Sequence, residues 1–583
     1  MKRLKPVNVA IVGGGWTGLA MAKEITSRTS LSVVILERGA PRKATDYGDG
    51  MDELDYAIRL RMIQNIADET ITHRHSARDS AVPVRQYGSF LPGSGTGGAG
   101  EHWNGHSFRF LESHFVLATH LKEKLGAARL PEGLAVQDWG VTYNDLEPYY
   151  WKAEQMLGVS GKAGNLKGVK HKGGNPFEGP RQNEYPLAPL KTAYVGTVFR
   201  DAVEKLGYSP YPHPAANASE AYRNPDGVSR AGCMYCGFCE RFGCMVGAKA
   251  QPTNTLLPLL VHKKTFSMRH GAWVRRVVTK GNRATGIEYV DLATGEEIFQ
   301  PADTVMLGTF TLNNVKLLML SGIGDMYDPA TGKGTLGKNL THQVGGSSAR
   351  LFFDKPLNMF MGAGALGQMI ADIDGDHAFD GSEKLLRGGT ISVGTSGNRP
   401  IASWGNYPNG AAKSNWGSEW KKASLEWRDK VSGIGFTGEH LAWKQNFMDL
   451  DPTYKDKMGD PLLRFTLDWT EHEYQQRAYA APIQTKIAQA IGVKYEEARP
   501  TRAKYNTVGY QTTHIQGGAI MGTSPETSVV DTSLRHWKVP NLIVMGASAF
   551  PQNASGNPTL TVLAITYRAA DAFIAKHSKG AAA

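Results

Sequence analysis

Four cysteines, Cys233, Cys236, Cys239 and Cys244, fall within twelve residues, and the rest of the 583-residue chain has none. Disulfides that staple a fold are scattered along a chain, so this clustering points to thiolate chemistry. The spacing is C-x2-C-x2-C-x4-C; the first three positions follow a ferredoxin-type run, and the fourth comes one residue late and lacks the proline. Thiols on a tight loop with glycines between them can wrap a compact inorganic cluster. Structural zinc more often uses two ligand pairs across a longer loop, and two disulfides in so short a span would be strained.

A second constellation opens the chain. Gly13-Gly14-Gly15-Trp16-Thr17-Gly18 is a G-x-G-x-x-G that follows the apolar run Val7 to Val12 and precedes a helical pattern (Leu19, Ala20, Ala22, Ile25). A second apolar run, LSVVILERG, carries Glu37 nineteen residues after Gly18. Strand, glycine turn, helix, strand and acid in this order form a dinucleotide-binding unit. Gly13 permits the turn, Gly15 lets a pyrophosphate approach the backbone, and Gly18 allows close helix–strand packing. The helix N-terminus faces the phosphates with partial positive charge. Glu37 is placed to accept from a ribose diol, and an acid there disfavours a 2′-phosphate. The loop alone does not separate FAD from NAD.

These elements predict an α/β fold, a Rossmann-like nucleotide domain with an interleaved α+β substrate (cap) domain. The nucleotide domain is expected from 1–115, 225–345 and 505–583, with the cysteine loop 231–250 at its edge. The cap is expected from 116–224 and 346–504. Within 270–310, WVRRVV, GNRATGIEYVD and VMLGTF read as strand, turn, strand and a third strand closing on the sheet. No internal repeat is evident, and the KGAAA tail is expected to fray.

Composition sets the class. Hydrophobic residues are 41% and charged residues 20%, which excludes a disordered or fibrous chain. No run approaches the roughly 18 apolar residues a membrane-spanning helix needs. The formal net charge of +11 favours anionic partners: an acidic subunit, a membrane surface or an acidic substrate. No basic-aromatic module suggests nucleic acid. Lys2, Arg3 and Lys5 lead into the strand-like VNVAIV rather than an apolar signal core, so no cleavable signal is expected. Asp372, Asp374, Asp376 and Glu383 nearly fit a calcium loop, but His377 stands where glycine is needed, so a solvated acidic loop is the simpler reading. The aromatic-rich stretch 404–422 fits either a substrate mouth or a packed loop.

The chain resembles the glucose–methanol–choline (GMC) oxidoreductase family over almost its whole length. The resemblance lies in the nucleotide loop, GSGTGGAGEHWNG (93–105), DWGVTYNDLEPYYWKAEQMLGVSG (138–161), LLMLSGIG (317–324), LGKNL (336–340) and the C-terminal THIQGGAIMG and GASAFPQNASGNPTL blocks. It implies FAD as cofactor. His514 then matches the family's catalytic His and Asn557 its partner, with hydride passing to flavin N5 while the hydroxyl proton goes to the imidazole. An imidazole suits that task, and an Asn can only orient. Gly97, Gly98, Trp103, Asn104, Val274, Ala547, Pro558 and Thr559 are implied against the cofactor. Pro558 would open a helix whose N-terminus stabilises negative charge on the reduced ring. His102 matches a His that some members bond covalently to the flavin 8α-methyl.

Within the family the chain is similar to flavoprotein subunits of membrane-associated bacterial gluconate, ketogluconate and polyol dehydrogenases, through CGFCERFGC, LDPTYKDKMGDPLLRFTLDW (450–469) and YQTTHIQGGAIMG (510–522). That implies oxidation of a sugar acid or polyol, D-gluconate at C2 in the first place. It also implies a three-iron cluster, with Cys233, Cys239 and Cys244 as ligands and Cys236 as the extra thiol. Electrons would pass to a cytochrome c subunit and quinone. A small subunit with a twin-arginine signal would carry the folded flavoprotein to the periplasmic side of the membrane, which it would touch through its partners only. The alternatives are another sugar, or an oxidase that reduces O2 with the cysteine loop structural; the residues themselves would also allow a cytoplasmic protein.

Overall fold

The computed structural model describes residues 1–48, 54, 59–85, 90–346, 348–359, 362–377, 385–395, 405–500, 502–507 and 513–580. The apolar run Val7–Val12 forms a strand because β-branched residues there are buried on both faces. It pairs in parallel with Val33–Leu36 (Ala10 opposite Val34) and with Glu297–Leu307 (Val305 opposite Ala10). Between the first two strands, helix Trp16–Arg28 crosses over, its first eleven residues buried. This is the strand–helix–strand unit predicted from the glycine turn.

The strand Glu297–Leu307 joins two styles of sheet. Its second half pairs in parallel with Val7–Val12 on one side and Leu542–Val544 on the other. Its first half closes an antiparallel hairpin array with Arg283–Asp291 and Ala272–Lys280. Eight strands result in all, with Phe266–Arg269 at one edge. The C-terminal helix Thr559–Gly580 packs against Trp16–Arg28 and Tyr143–Leu157, and the Tyr150 hydroxyl meets Thr561 Oγ1 at 2.7 Å. Helix Tyr143–Leu157 begins at a Thr142–Asp145 capping box and stops at Gly158 in the left-handed region.

A second, seven-stranded sheet is antiparallel and runs Lys494–Glu496, Ser348–Phe352, Val431–Glu439, Gly389–Gly394, Gly367–Ile370 and Tyr211–Pro212, with Gln343–Val344 also on Val431–Glu439. Helices Tyr194–Lys205 and Glu471–Ile491 cover one face and enclose its own apolar core, including Phe199, Ile370, Ile391, Ile434 and Ile487. The α/β class with an interleaved second unit is therefore the fold that the sequence predicts. A four-stranded sheet draws Ile71–Arg74 and Val82–Pro83 from one group of segments and Phe447–Lys455 and Pro461–Thr466 from the other. Among the described residues no helix is long and apolar enough to cross a membrane.

The acidic stretch 372–376 is neither a calcium loop nor a solvated one. Asp376 is held by His120 (2.8 Å), Lys124 (2.9 Å) and the buried Arg387 (3.3 Å), and Asp374 is buried. Glu383, residues 510–512 of the C-terminal motif, Trp404 and residues 581–583 lie outside the described residues.

At the glycine turn, a Cβ on Gly18 would lie 2.0 Å from the Gly13 carbonyl oxygen. Gly18→Ala should therefore cost about 1–3 kcal/mol through overpacking and loosen the nucleotide loop. A fall in thermal midpoint together with weaker FAD retention checks this; a midpoint at the wild-type value contradicts it.

Candidate active site

One cavity of about 580 Å³ runs from the glycine turn to the last helix. Gly13, Gly15, Glu37, Gly98, His102, Trp103, Asn104, Val274, His514, Ala547, Asn557, Pro558 and Thr559 all line it. Residues more than 500 positions apart thus meet at one void. Gly18 and Gly97 sit behind the wall. Gly18 packs under the turn, and the Gly97 amide donates to the Gly14 carbonyl at 2.8 Å.

The glycine turn fits a dinucleotide. Gly13 takes φ +96°, and a side chain there would strike Gly308, which only glycine avoids. The space off Gly15 is different: an added Cβ would find nothing nearer than the Gly97 oxygen at 3.8 Å. That emptiness belongs to the cavity, next to the amides that open helix Trp16–Arg28, whose N-cap has no side-chain bond. Such an end binds phosphate.

Glu37 has a larger part than a ribose acceptor. Its carboxylate takes three backbone N–H bonds, from Gly14 (2.9 Å), Gly39 (2.8 Å) and Gly95 (3.0 Å). It ties the glycine turn to the 93–98 loop and keeps about one lone-pair site for a ribose hydroxyl.

At the other end His514 and Asn557 are in contact, the Asn557 amide Nδ2 3.0 Å from His514 Nε2. The partner of the imidazole is thus an uncharged amide, which cannot take up a proton itself. Burial holds the His514 pKa down to about 4. Near neutrality it is therefore a base able to take a proton. Thr559 begins the last helix, so Asn557-Pro558 stands at its N-terminus with the cavity in front.

His102 is buried, and its Nε2 has no hydrogen-bond partner. Burial first, then the charges of Lys249, Arg42 and Arg241, lower its pKa to about 3. A neutral imidazole with an unclaimed nitrogen is the form a covalent bond to an electrophilic methyl carbon requires. Beside it the Trp103 indole donates to the Ala250 oxygen (2.8 Å) and meets Trp16 edge-on, centroids 5.6 Å apart.

The cysteine loop lies directly behind this segment. Cys239 and Cys244 are buried and Cys233 and Cys236 half-buried. Tyr235 and Arg241 adopt φ of 57° and 71°, left-handed for non-glycine residues, as the chain winds back on itself. The four thiols lie within electrostatic reach of one another. Among the described residues no group of three or more His, Cys, Asp or Glu is arranged to hold a metal ion, and Cys233, Cys236, Cys239 and Cys244 share the one loop as free thiols. Burial pushes the Cys233 thiol up to about 12 and Cys239 to about 11. Protonated thiols gain nothing by converging on a point. Three accept N–H bonds instead, Cys233 from Tyr235 N (3.4 Å), Cys244 from Lys249 N (3.4 Å) and Cys239 from Asn217 Nδ2 (3.5 Å). N–H···S bonds of this kind also surround iron–sulfur sites, so the donor chemistry suits such a group.

Several residues at the site were not singled out in the sequence. Lys316 bridges Glu69 (2.5 Å) and Asp456 (2.7 Å) at the cavity wall, and Arg38 lies over the Trp273 ring at 4.7 Å. Glu101 is fully buried and accepts from Tyr47, Gln251 and Thr253. Only its place beside the HW pair marks it in sequence.

Two GMC oxidoreductase family models match, at residues 190–344 and 443–566. The gluconate 2-dehydrogenase flavoprotein of Pantoea cypripedii is 40% identical, covering 99% of this chain and 95% of that protein. The fructose dehydrogenase large subunit of Gluconobacter japonicus is 25% identical, covering 97% of each. Among solved structures, pyridoxine 4-oxidase from Mesorbium loti superposes with a TM-score of 0.59 at 16% identity, over 97% of this chain and 99% of that one. Formate oxidase from Aspergillus oryzae gives 0.60 at 14%, over 99% of each; both support the fold. With this geometry and a 40% identical relative over nearly its full length, the chain belongs to the GMC oxidoreductase family and is an FAD-dependent oxidoreductase acting on CH–OH groups.

Proposed function

We propose that the chain is a dehydrogenase for a secondary alcohol of a sugar acid or related polyol, D-gluconate at C2 first among them. The observation that carries the chemistry is the His514–Asn557 pair, 3.0 Å apart at the cavity wall. The choice of gluconate rests on the 40% identical relative, and the +11 net charge agrees with an anionic substrate. FAD, when bound, supplies the hydride acceptor at N5. The glycine turn takes its pyrophosphate and Glu37 its ribose. His514 takes the hydroxyl proton, while Asn557, which cannot titrate, orients ring and alcohol. The antiparallel unit, with segments 116–224 and 346–504, forms the substrate-side cap.

His102 is assigned as the covalent attachment point for the flavin, supported by its unclaimed Nε2. The cysteine loop is assigned as the exit for electrons, with a three-iron cluster in it and Cys233, Cys239 and Cys244 as its ligands. The acceptor is then a cytochrome c subunit, and a small twin-arginine-signal subunit carries the assembly to the periplasmic side of the membrane, with quinone as the final acceptor. Four thiols in twelve residues support this reading.

His514→Ala should retain FAD but bleach anaerobically with gluconate about 10²- to 10⁴-fold more slowly, the usual worth of a positioned base; bleaching at the wild-type rate would remove His514 from the mechanism. The same rate should be flat around neutrality and fall as pH drops through about 4, where the imidazole protonates and loses its lone pair. A decline already centred near pH 7 is inconsistent with the buried imidazole.

Acid precipitation should leave the yellow colour in the pellet, and His102→Ala should release it; colour in the wild-type supernatant excludes the covalent bond. Metal analysis with a panel of sugars and a dye acceptor tests the remainder. Iron, fast dye reduction and slow O2 consumption are expected with gluconate, whereas zinc without iron and rapid O2 use would turn the assignment to an oxidase.

A further inference from the structure

Two histidines outside the His514–Asn557 pair meet where the nucleotide unit faces the antiparallel sheet. His106 Nε2 and His213 Nδ1 are 3.0 Å apart, with the rings edge-on at 66°. His213 follows Tyr211–Pro212, the edge strand of that sheet. Its ring lies over a glycine: a Cβ on Gly367 would come within 2.6 Å of it. His213 is 8% exposed, and its Nε2 has no hydrogen-bond partner. A buried imidazole in a space that only glycine leaves free, touching nothing polar but a second imidazole, is poorly explained as filler, because an apolar ring would fill the same volume without burying two nitrogens.

His106 stands at the His514–Asn557 end of the cavity. Its amide donates to the Asn104 side chain at 3.1 Å, and Trp103 and Asn104 line the cavity. Its ring stacks on Phe108, centroids 5.5 Å apart. Phe108 in turn packs against Gly556, the residue before Asn557, where an added Cβ would lie 3.0 Å from it. His514 is within electrostatic reach of His106. His106 is only half-buried, and among the described residues its Nδ1 makes no hydrogen bond. Two neutral imidazoles carry two ring protons between them. One lies in the 3.0 Å contact, so one outer nitrogen bears the other proton and the remaining one a lone pair. Shifting both protons exchanges these roles, so His106 Nδ1 can donate or accept. Burial lowers the His213 pKa to about 4 and keeps that ring uncharged at neutrality. An uncharged group that can donate or accept suits a hydroxyl, which does both, whereas a carboxylate calls for a cation.

We propose that His106 is a further substrate-binding residue, which hydrogen-bonds through Nδ1 to a second hydroxyl of the substrate whose reacting hydroxyl sits at His514, and that His213 is the positioning residue that holds its ring. This role presupposes the polyol reading above and sharpens it: the site selects its substrate by hydroxyls other than the one oxidised. A simple 2-hydroxy acid would leave His106 unpaired, and a site built to hydrogen-bond a hydroxyl disfavours an analogue that lacks it. His106 gives up no proton and takes none, so its loss shows in substrate affinity and not in the limiting rate.

The test uses purified flavin-loaded wild type, His106→Phe, His213→Leu and His213→Gln. Anaerobic flavin bleaching is followed against the concentration of D-gluconate and of 2-hydroxyhexanoate, which keeps the carboxylate, the chain length and the reacting hydroxyl and lacks the other hydroxyls. Each series gives a half-saturating concentration and a limiting rate. His106→Phe should raise the half-saturating concentration of gluconate about tenfold, with its limiting rate and both values for 2-hydroxyhexanoate held within about threefold. His213→Leu should show the same pattern. His213→Gln, whose amide can donate to or accept from His106 Nε2, should restore most of the affinity. Equal losses for the two substrates, or no loss for gluconate, overturn the proposal. Should His106→Phe fail to fold, His213→Leu with wild-type affinity for gluconate overturns it. If gluconate does not bleach the wild type, D-sorbitol and D-fructose take its place. Bleaching by one of them with an unchanged half-saturating concentration in His106→Phe removes the subsite alone; no bleaching by any of the three removes the polyol reading and the subsite with it.

Discussion

Three backbone amides on one carboxylate hold the nucleotide end of the cavity in shape. Glu37 ends the second parallel strand and reaches Gly14, Gly39 and Gly95 together. Charge-assisted bonds of this kind are the stronger class, and here they fix two glycine-rich loops that have no side chains of their own to do so. Gly15 can remain open to a ligand because Glu37 holds its neighbour Gly14. The 93–98 loop, held at Gly95, then leads into the segment bearing His102 and Trp103. Much of the cofactor-facing wall thus hangs from one acid.

The His514–Asn557 end of the cavity follows a different logic. There the constraint is desolvation: His514 is kept below its ordinary pKa by burial. A base that stays neutral well below pH 7 is always ready to accept, at the expense of weaker intrinsic basicity. Asn557 is the uncharged partner such a site needs, because a carboxylate at 3.0 Å would pull the imidazole toward its protonated form.

The nucleotide half was legible because its signals are local. A buried apolar run, a glycine turn, a helix and a second run ending in an acid succeed one another within 37 residues, and each element makes its own argument. The hairpin at Ala272–Asp291 and the helix after Pro558 were legible for the same reason. Lys249 was not, since a lysine in GAKAQ reads as a surface residue, and only the convergence on its Nζ of four carbonyls from two distant loops (Glu101, Trp103, Cys239 and Phe242) reveals otherwise. Asp376 illustrates the reverse error. Spacing alone suggested a cation or solvent, whereas His120, Lys124 and Arg387 come from elsewhere in the chain to occupy it. The sharing of the four-stranded sheet between the two groups of segments was hidden likewise, because strand pairing across some 390 residues leaves no local trace.

The segment between these ends is gripped from both sides by buried titratable side chains, Glu101 and Lys249. Glu101, fully buried, is held above its ordinary pKa by burial even though Tyr47, Thr253 and Gln251 all donate to it. Its own main-chain oxygen is one of the four that Lys249 binds. Acid and base therefore act on the same residue, the carboxyl anchoring it to helix Pro252–Thr255 and the carbonyl anchoring it to the cysteine loop. Each group is satisfied by hydrogen bonds to fixed partners, and a buried polar network of this kind holds only while its geometry does not relax. The rigidity that this demands falls on His102, the next residue in the chain. Its own main-chain oxygen accepts from the Arg241 amide at 2.6 Å, so the His102 backbone is held on both sides.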